Sequence, residues 1–168
     1  MKVVVDASPA IFLAKIRCLD WVQALFGPDI RVAPAVREEA LPPRVDAAEA
    51  SALEAFFAAC SVVPVRRRSF SSAMSGADNE TLALAVQCRA DLLLCDDRIL
   101  RLMTEAEGIR PIGTLGVLLH ALRAGRLSRA RAKRLVDALV RLHGFRISVE
   151  VYQAVLAKID APTRGSAR

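Results

Sequence analysis

Two apolar runs in this sequence each stop on an acid. Val3-Val4-Val5 leads into Asp6, and Leu92-Leu93-Leu94-Cys95 leads into Asp96-Asp97. Two further places offer carboxylates near the start of an element: Glu38 and Glu39 after Pro34, and Asp78 with Glu80 at the head of an apolar helical pattern. Taken singly, each acid has a local explanation as a helix cap or as a charge favoured by the positive end of a helix dipole. Asp6 resists that explanation best, because Ser8 stands better placed to cap the helix that follows, with Pro9 at its first position. Taken together, four or more carboxylates at one edge repel one another and hold their protons unless a cation sits among them. A hard divalent ion with oxygen ligands, Mg²⁺ or Mn²⁺, removes that cost. Such an ion activates water and stabilises a leaving oxygen, so the chemistry implied is metal-dependent hydrolysis of a phosphodiester.

The elements that must position these acids alternate between strand and helix. After the strand at Val3 to Val5, helical spacing runs from Ala10 to Phe26 and ends at Gly27-Pro28. Short strands are expected at Ile30 to Ala33, Ser61 to Val65, Leu92 to Cys95 and Ile109 to Ile112. Helices are expected at Ala35 to Leu41, stopped by Pro42-Pro43, and at Asp46 to Ala59, Asp78 to Arg89, Arg98 to Glu107 and Gly113-Thr114 to Arg123. Residues 66 to 77, rich in Arg, Ser and Gly, read as a mobile loop. Alternation of this kind predicts an α/β fold with a parallel sheet of four to five strands, helices on both faces, and strand ends gathered at one crevice. The remainder is helical: Ser128 caps a segment with an apolar stripe through Ala132, Leu135, Val136, Leu139 and Leu142, and a last helix spans Val149 to Ile159. We expect a main domain over residues 1–125, a helical C-terminal extension packed on it over 126–160, and a disordered tail over 161–168.

A length of 168 residues with 54% hydrophobic and 25% charged residues fits one globular domain. No leader segment and no apolar run of about 18 residues is visible, so a cytoplasmic location with no membrane contact is expected. Cys18, Cys60, Cys88 and Cys95 lack the spacing of a zinc or redox motif and read as buried thiols, and His120 and His143 have no partner at ligand spacing. The net charge of +6 is unevenly spread. Arg66, Arg67 and Arg68 form one cluster, and Arg123, Arg126, Arg129, Arg131, Lys133, Arg134 and Arg141 form another with only Asp137 among them. Cations to hold a phosphate backbone and carboxylates to hold metal are the division of labour of a nucleic-acid enzyme.

With these residues in view, the chain resembles the PIN-domain ribonucleases, which include VapC-type toxins of toxin–antitoxin pairs. The resemblance lies in Val5-Asp6-Ala7-Ser8, Pro34-Ala35-Val36-Arg37-Glu38-Glu39, Asp78-Asn79-Glu80-Thr81-Leu82-Ala83-Leu84-Ala85 and Leu93-Leu94-Cys95-Asp96-Asp97-Arg98, in that order. Ile112-Gly113-Thr114-Leu115-Gly116-Val117-Leu118 and Gly144-Phe145-Arg146-Ile147-Ser148 are similar to a PIN-like branch with a helical C-terminal extension. The likeness implies a three-layer α/β/α domain with an Mg²⁺ or Mn²⁺ pocket that cuts RNA. It implies Asp6 as central ligand with Ser8 hydrogen-bonding nearby, Glu39 (or its neighbour Glu38) as second acid, Glu80 with Asp78 beside it as third, and Asp97 with Asp96 adjacent as fourth. Where the family often carries threonine or serine before the last acids, this chain has Cys95. A toxin role would bring an antitoxin partner, and the family's habit of dimerising implies a homodimer. RNA contacts fall to Arg66, Arg67, Arg68, Arg131 and Arg134.

Three other readings compete. A PIN-like module could bind RNA or protein with its acids inert. A haloacid-dehalogenase-type phosphohydrolase would need an acid two residues after Asp6, where Ser8 stands, and a receiver domain would need a lysine where Gly113-Thr114 stands.

Overall fold

The computed structural model describes residues 1–41, 46–66 and 69–161. In chain order it contains β1 (Val3–Val5), α1 (Ala7–Lys15), α2 (Trp21–Phe26), β2 (Ile30–Val32), α3 (Pro34–Ala40), α4 (Ala47–Ala58), β3 (Ser61–Val62), α5 (Gly76–Gln87), β4 (Leu92–Leu94), α6 (Arg98–Ala106) and β5 (Arg110–Ile112). Three helices complete the chain: α7 (Thr114–Arg123), α8 (Arg129–Leu142) and α9 (Val149–Asp160). The strands form one five-stranded sheet in the order β3-β2-β1-β4-β5, parallel throughout. Val3, Val4 and Val5 of β1 and Leu92, Leu93 and Leu94 of β4 have no exposed surface at all, whereas both residues of the edge strand β3 are exposed. Unbroken apolar runs, rather than alternating ones, are what a sheet covered on both faces demands. The architecture is three-layer α/β/α, with α1 packed on α3 and α4, and α5 packed on β1.

The chain groups into two compact units, Met1–Thr114 and the part from Leu115 onward. The second contains α8 and α9, which pack together through Ala132, Val136, Leu139, Val155 and Ile159 and are joined by Lys133–Asp160 at 2.7 Å. The Pro42-Pro43 helix stop, Arg67, Arg68 and the expected tail after Ala161 lie outside the described residues.

Several sequence expectations are corrected. The helix read from Ala10 to Phe26 is two helices, because Arg17 adopts a left-handed backbone (φ 56°) and Cys18 N–H returns to the Leu13 carbonyl at 2.8 Å. Arginine occupies the place glycine usually takes, while the flanking Ile16, Cys18 and Leu19 stay buried, so neither composition nor hydropathy marks the break. The first helix starts at Ala7, with Asp6 in the N-cap position and Ser8 already inside it. Asp78 does not cap α5. Ser75 does, in a reciprocal box with Asp78.

Candidate active site

A strand order of 3-2-1-4-5 reverses direction between β1 and β4, and in open α/β sheets the crevice beyond the carboxyl ends at such a point receives ligands. Register carries two of the predicted acids there. Val5 pairs with Leu94, and Asp6 N–H donates to the Leu94 carbonyl at 2.9 Å, so Asp6 leaves β1 level with the end of β4. Leu94 pairs in turn with Ile112, which brings Asp96 beside Gly113-Thr114.

Asp6 is the least exposed acid of that edge, at 4%. Burial pushes its carboxyl up to about 7, the negative charge of Asp78 adds to the rise, and Glu39 adds less; the amides of Ala7 and Ser8 pull the other way. Glu39 lies on the surface side, yet partial dehydration and then Asp78 raise its carboxyl too. Asp6, just past the end of β1, and Glu39 of α3 thus both lie within the field of Asp78 of α5. The dipole explanation does not hold for Glu38 and Glu39, which occupy the second half of the seven-residue α3 and not its positive end.

Of the α5 acids, Asp78 is the one that faces Asp6. Its Oδ2 accepts Ser75 N–H and Oγ–H at 3.2 and 2.8 Å, a bond set that anchors the carboxylate at the head of the helix. Glu80 follows two residues later, roughly 200° round the helix, on a different side from Asp78 and Thr81. Thr81 is fully buried, and its Oγ1 donates to Asp6 Oδ1 at 3.4 Å.

Across the switch point the paired acids are committed to the backbone. Asp97 Oδ1 caps α6, accepting Ile99 N–H at 2.8 Å and Leu100 N–H at 2.9 Å. Asp96 turns inward, where Thr114 gives it two hydrogen bonds, N–H to Oδ1 at 2.7 Å and Oγ1–H to Oδ2 at 2.6 Å. Burial raises the Asp96 carboxyl, and those bonds, followed by the Arg101 charge, oppose the rise. Gly113 leaves room for that inward turn. A Cβ at that position would lie 2.7 Å from Asp96 Oδ1.

Sequence reasoning passed over Asn79, Thr81 and Arg101. Asn79 Oδ1 accepts Phe70 and Ser71 N–H at 2.7 and 3.3 Å, and its Nδ2 donates to the Ser71 carbonyl at 3.0 Å, so Phe70 and Ser71, within the stretch read as a mobile loop, are tied to the residue after Asp78. Arg101 Nη1 donates to the Cys95 carbonyl at 3.2 Å. A polar residue one position from a candidate acid was the available signal for Asn79 and Thr81; nothing in the sequence points to Arg101.

Among the described residues, no three His, Cys, Asp or Glu side chains converge as a ready-made metal cage. The donor chemistry nonetheless suits a hard divalent ion, because the charges that act most strongly on buried Asp6 are both carboxylates. Mg²⁺ in particular binds through one or two carboxylates and keeps several waters. A separate cleft of about 600 Å³, between Leu19, Gln23, Ala52 and Phe56, contains none of the predicted site residues.

The structure is thus a parallel α/β/α domain with a buried aspartate, acted on by two further acids, at its switch point. The family model DUF3368, described as a PIN domain, matches residues 2–161, and the chain belongs to that PIN-domain family. PIN domains are in general nucleases that use divalent metal ions and act on nucleic acids. Nothing matches the chain among the curated proteins, and nothing among the solved structures. No helix among the described residues is long and apolar enough to cross a membrane.

Proposed function

We propose that this protein is a Mg²⁺- or Mn²⁺-dependent endoribonuclease whose metal is held by Asp6, Glu39 and Asp78, with Asp97 and Glu80 at the periphery. The observation that carries the reading is Asp6: a buried carboxyl at the sheet's switch point, raised to about 7, with Asp78 and Glu39 as its charged neighbours. A carboxyl in that setting keeps its proton on about half of the molecules at neutral pH, and a positive charge beside it would replace that proton. The chemistry an ion supplies there when bound is activation of water and stabilisation of the leaving oxygen. The protein's own part is to hold the carboxylates on three separate elements, dehydrate one of them, and keep the edge open for a phosphate.

RNA as substrate rests on the family and on charge. In α8, Ala132, Val136 and Leu139 are buried while Arg131, Arg134 and Arg141 are exposed on the opposite side, which makes one solvent face cationic. The same face would serve a binding module with inert acids, the alternative function. A toxin role with an antitoxin partner, a homodimeric state and a cytoplasmic location follow from the resemblance to VapC-type proteins, as does the assignment of α8 and α9 to an extension of the nuclease domain.

The test is cleavage of a mixed pool of single-stranded and hairpin RNA with Mn²⁺ or Mg²⁺. Asp6→Asn conserves side-chain volume and removes the charge, and it should lower the rate by on the order of 10³-fold, about 4 kcal/mol of barrier. Chelator should abolish cleavage. Equal cleavage by Asp6→Asn would refute the assignment, and no cleavage by the unaltered protein would move the function to the binding module.

A further inference from the structure

The described residues contain four buried polar or charged side chains: Asp6, Thr81, Thr104 and Thr114. The three threonines spend their hydroxyls differently. Thr104 Oγ1 donates to the Leu100 carbonyl at 2.6 Å, four residues back in its own helix, which is the default for a threonine inside a helix. Thr114 Oγ1 donates to Asp96. Thr81 lies well inside α5, where the same return to the helix backbone is open to it, yet its hydroxyl reaches 75 residues away in sequence to Asp6 Oδ1.

Three features make that contact more than a packing accident. Thr81 has no exposed surface, so water cannot take over as its partner. It is β-branched, and β-branched side chains have restricted χ1 in a helix, so the hydroxyl is held in place with little further loss of freedom. It also stands one turn beyond Asp78 on the side of α5 that packs on β1, so one helix carries both an acid that repels the Asp6 charge and a donor that steadies it. At 3.4 Å the bond is long compared with the roughly 2.7–2.8 Å of a typical O–H···O contact.

From this geometry we propose that Thr81 is a positioning residue for the metal ligand Asp6: its hydroxyl tethers Oδ1 and so presents the rest of the carboxylate to a divalent cation. The proposal rests on the metal-dependent reading given above and deepens it. Partners in the second layer of a metal site fix ligand orientation, and their loss typically weakens metal affinity about 10–100-fold. Thr81 is the only such side chain the structure shows on Asp6 among the described residues.

The test is Mn²⁺ titration of the whole protein without RNA, followed by calorimetry or by electron paramagnetic resonance of the free ion, with thermal melting of every variant. Thr81→Val keeps the shape and deletes the donor, and should weaken Mn²⁺ binding about 10-fold. Thr81→Ser restores the hydroxyl and should return affinity to within about 3-fold of the unaltered protein. Thr81→Ala serves as the donor-free variant if Thr81→Val does not fold. A purely structural threonine would shift melting in Thr81→Val and Thr81→Ala but leave Mn²⁺ affinity unchanged, and that result would overturn the proposal alone. Absence of Mn²⁺ binding by the unaltered protein would overturn the metal-dependent reading and this inference with it.

Discussion

Acids from both sides of the switch point reach the carboxyl edge of this sheet, and they live under opposite conditions. On one side, Asp6, Glu39 and Asp78 come from three elements and act on one another chiefly by repulsion. On the other, Asp96 and Asp97 are adjacent in sequence and both find hydrogen-bond donors at once, in Thr114 and in the first turn of α6. The second pair is locally satisfied. In the first group Asp78 is held by Ser75, and Asp6 by the Ala7 and Ser8 amides and Thr81, yet burial and the neighbouring charges still leave the Asp6 carboxyl raised, and a buried charge compensated only in part costs stability. A carboxylate that costs stability where it stands is a better candidate for chemistry than one the fold already employs.

That contrast is sharpest in its pH dependence. A carboxyl that moves from 3.8 in the unfolded chain to about 7 in the folded one binds its proton more tightly when folded. Between those values the folded state therefore holds more protons, and stability falls as pH rises, by about 4 kcal/mol in all if Asp6 alone is counted. Metal-free protein should melt progressively lower from pH 4 to 8, Glu39 and Asp96 adding to the same trend, and Asp6→Asn should remove the largest share of the slope. Mn²⁺ at pH 8 should restore melting in the unaltered protein only. A slope untouched by Asp6→Asn would dissolve the distinction between the two groups.

The satisfied side should fail by packing instead. Gly113→Ala places a methyl 2.7 Å from Asp96 Oδ1 and should cost about 1–3 kcal/mol, read as a lower melting temperature with Mn²⁺ affinity nearly unchanged. A neutral outcome would mean that Asp96 swings away freely and that its two bonds to Thr114 are dispensable. The finest test exchanges charge on either side. Asp78→Asn should weaken Mn²⁺ binding by about 10-fold, whereas Asp97→Asn, which conserves a good capping residue, should change it by less than about 3-fold and leave melting almost where it was. Equal losses at the two positions would enlarge the metal site to include Asp97.

Much of this was legible in the chain. The buried strands announce themselves as Val3 to Val5 and Leu92 to Leu94, because strands covered on both faces need no alternation, and Pro34, Ser128 and Gly113 mark helix boundaries within a residue or so. The break at Arg17 was not legible, since a left-handed arginine between buried residues carries no compositional mark. Among the acids, sequence spacing admits Glu38 with Glu39, Asp78 with Glu80, and Asp96 with Asp97 as equals. Residue type specifies only that a charge is present.

Residue order alone thus determined the α/β class and the parallel sheet and named the candidate acids, because hydrophobic periodicity and chain punctuation are local properties. Tertiary structure decided which acids stand together, for that depends on strand register, on helix rotation and on which donors lie within reach. Asp6 and Thr81 are 75 residues apart, and only the packing of α5 on β1 makes them neighbours.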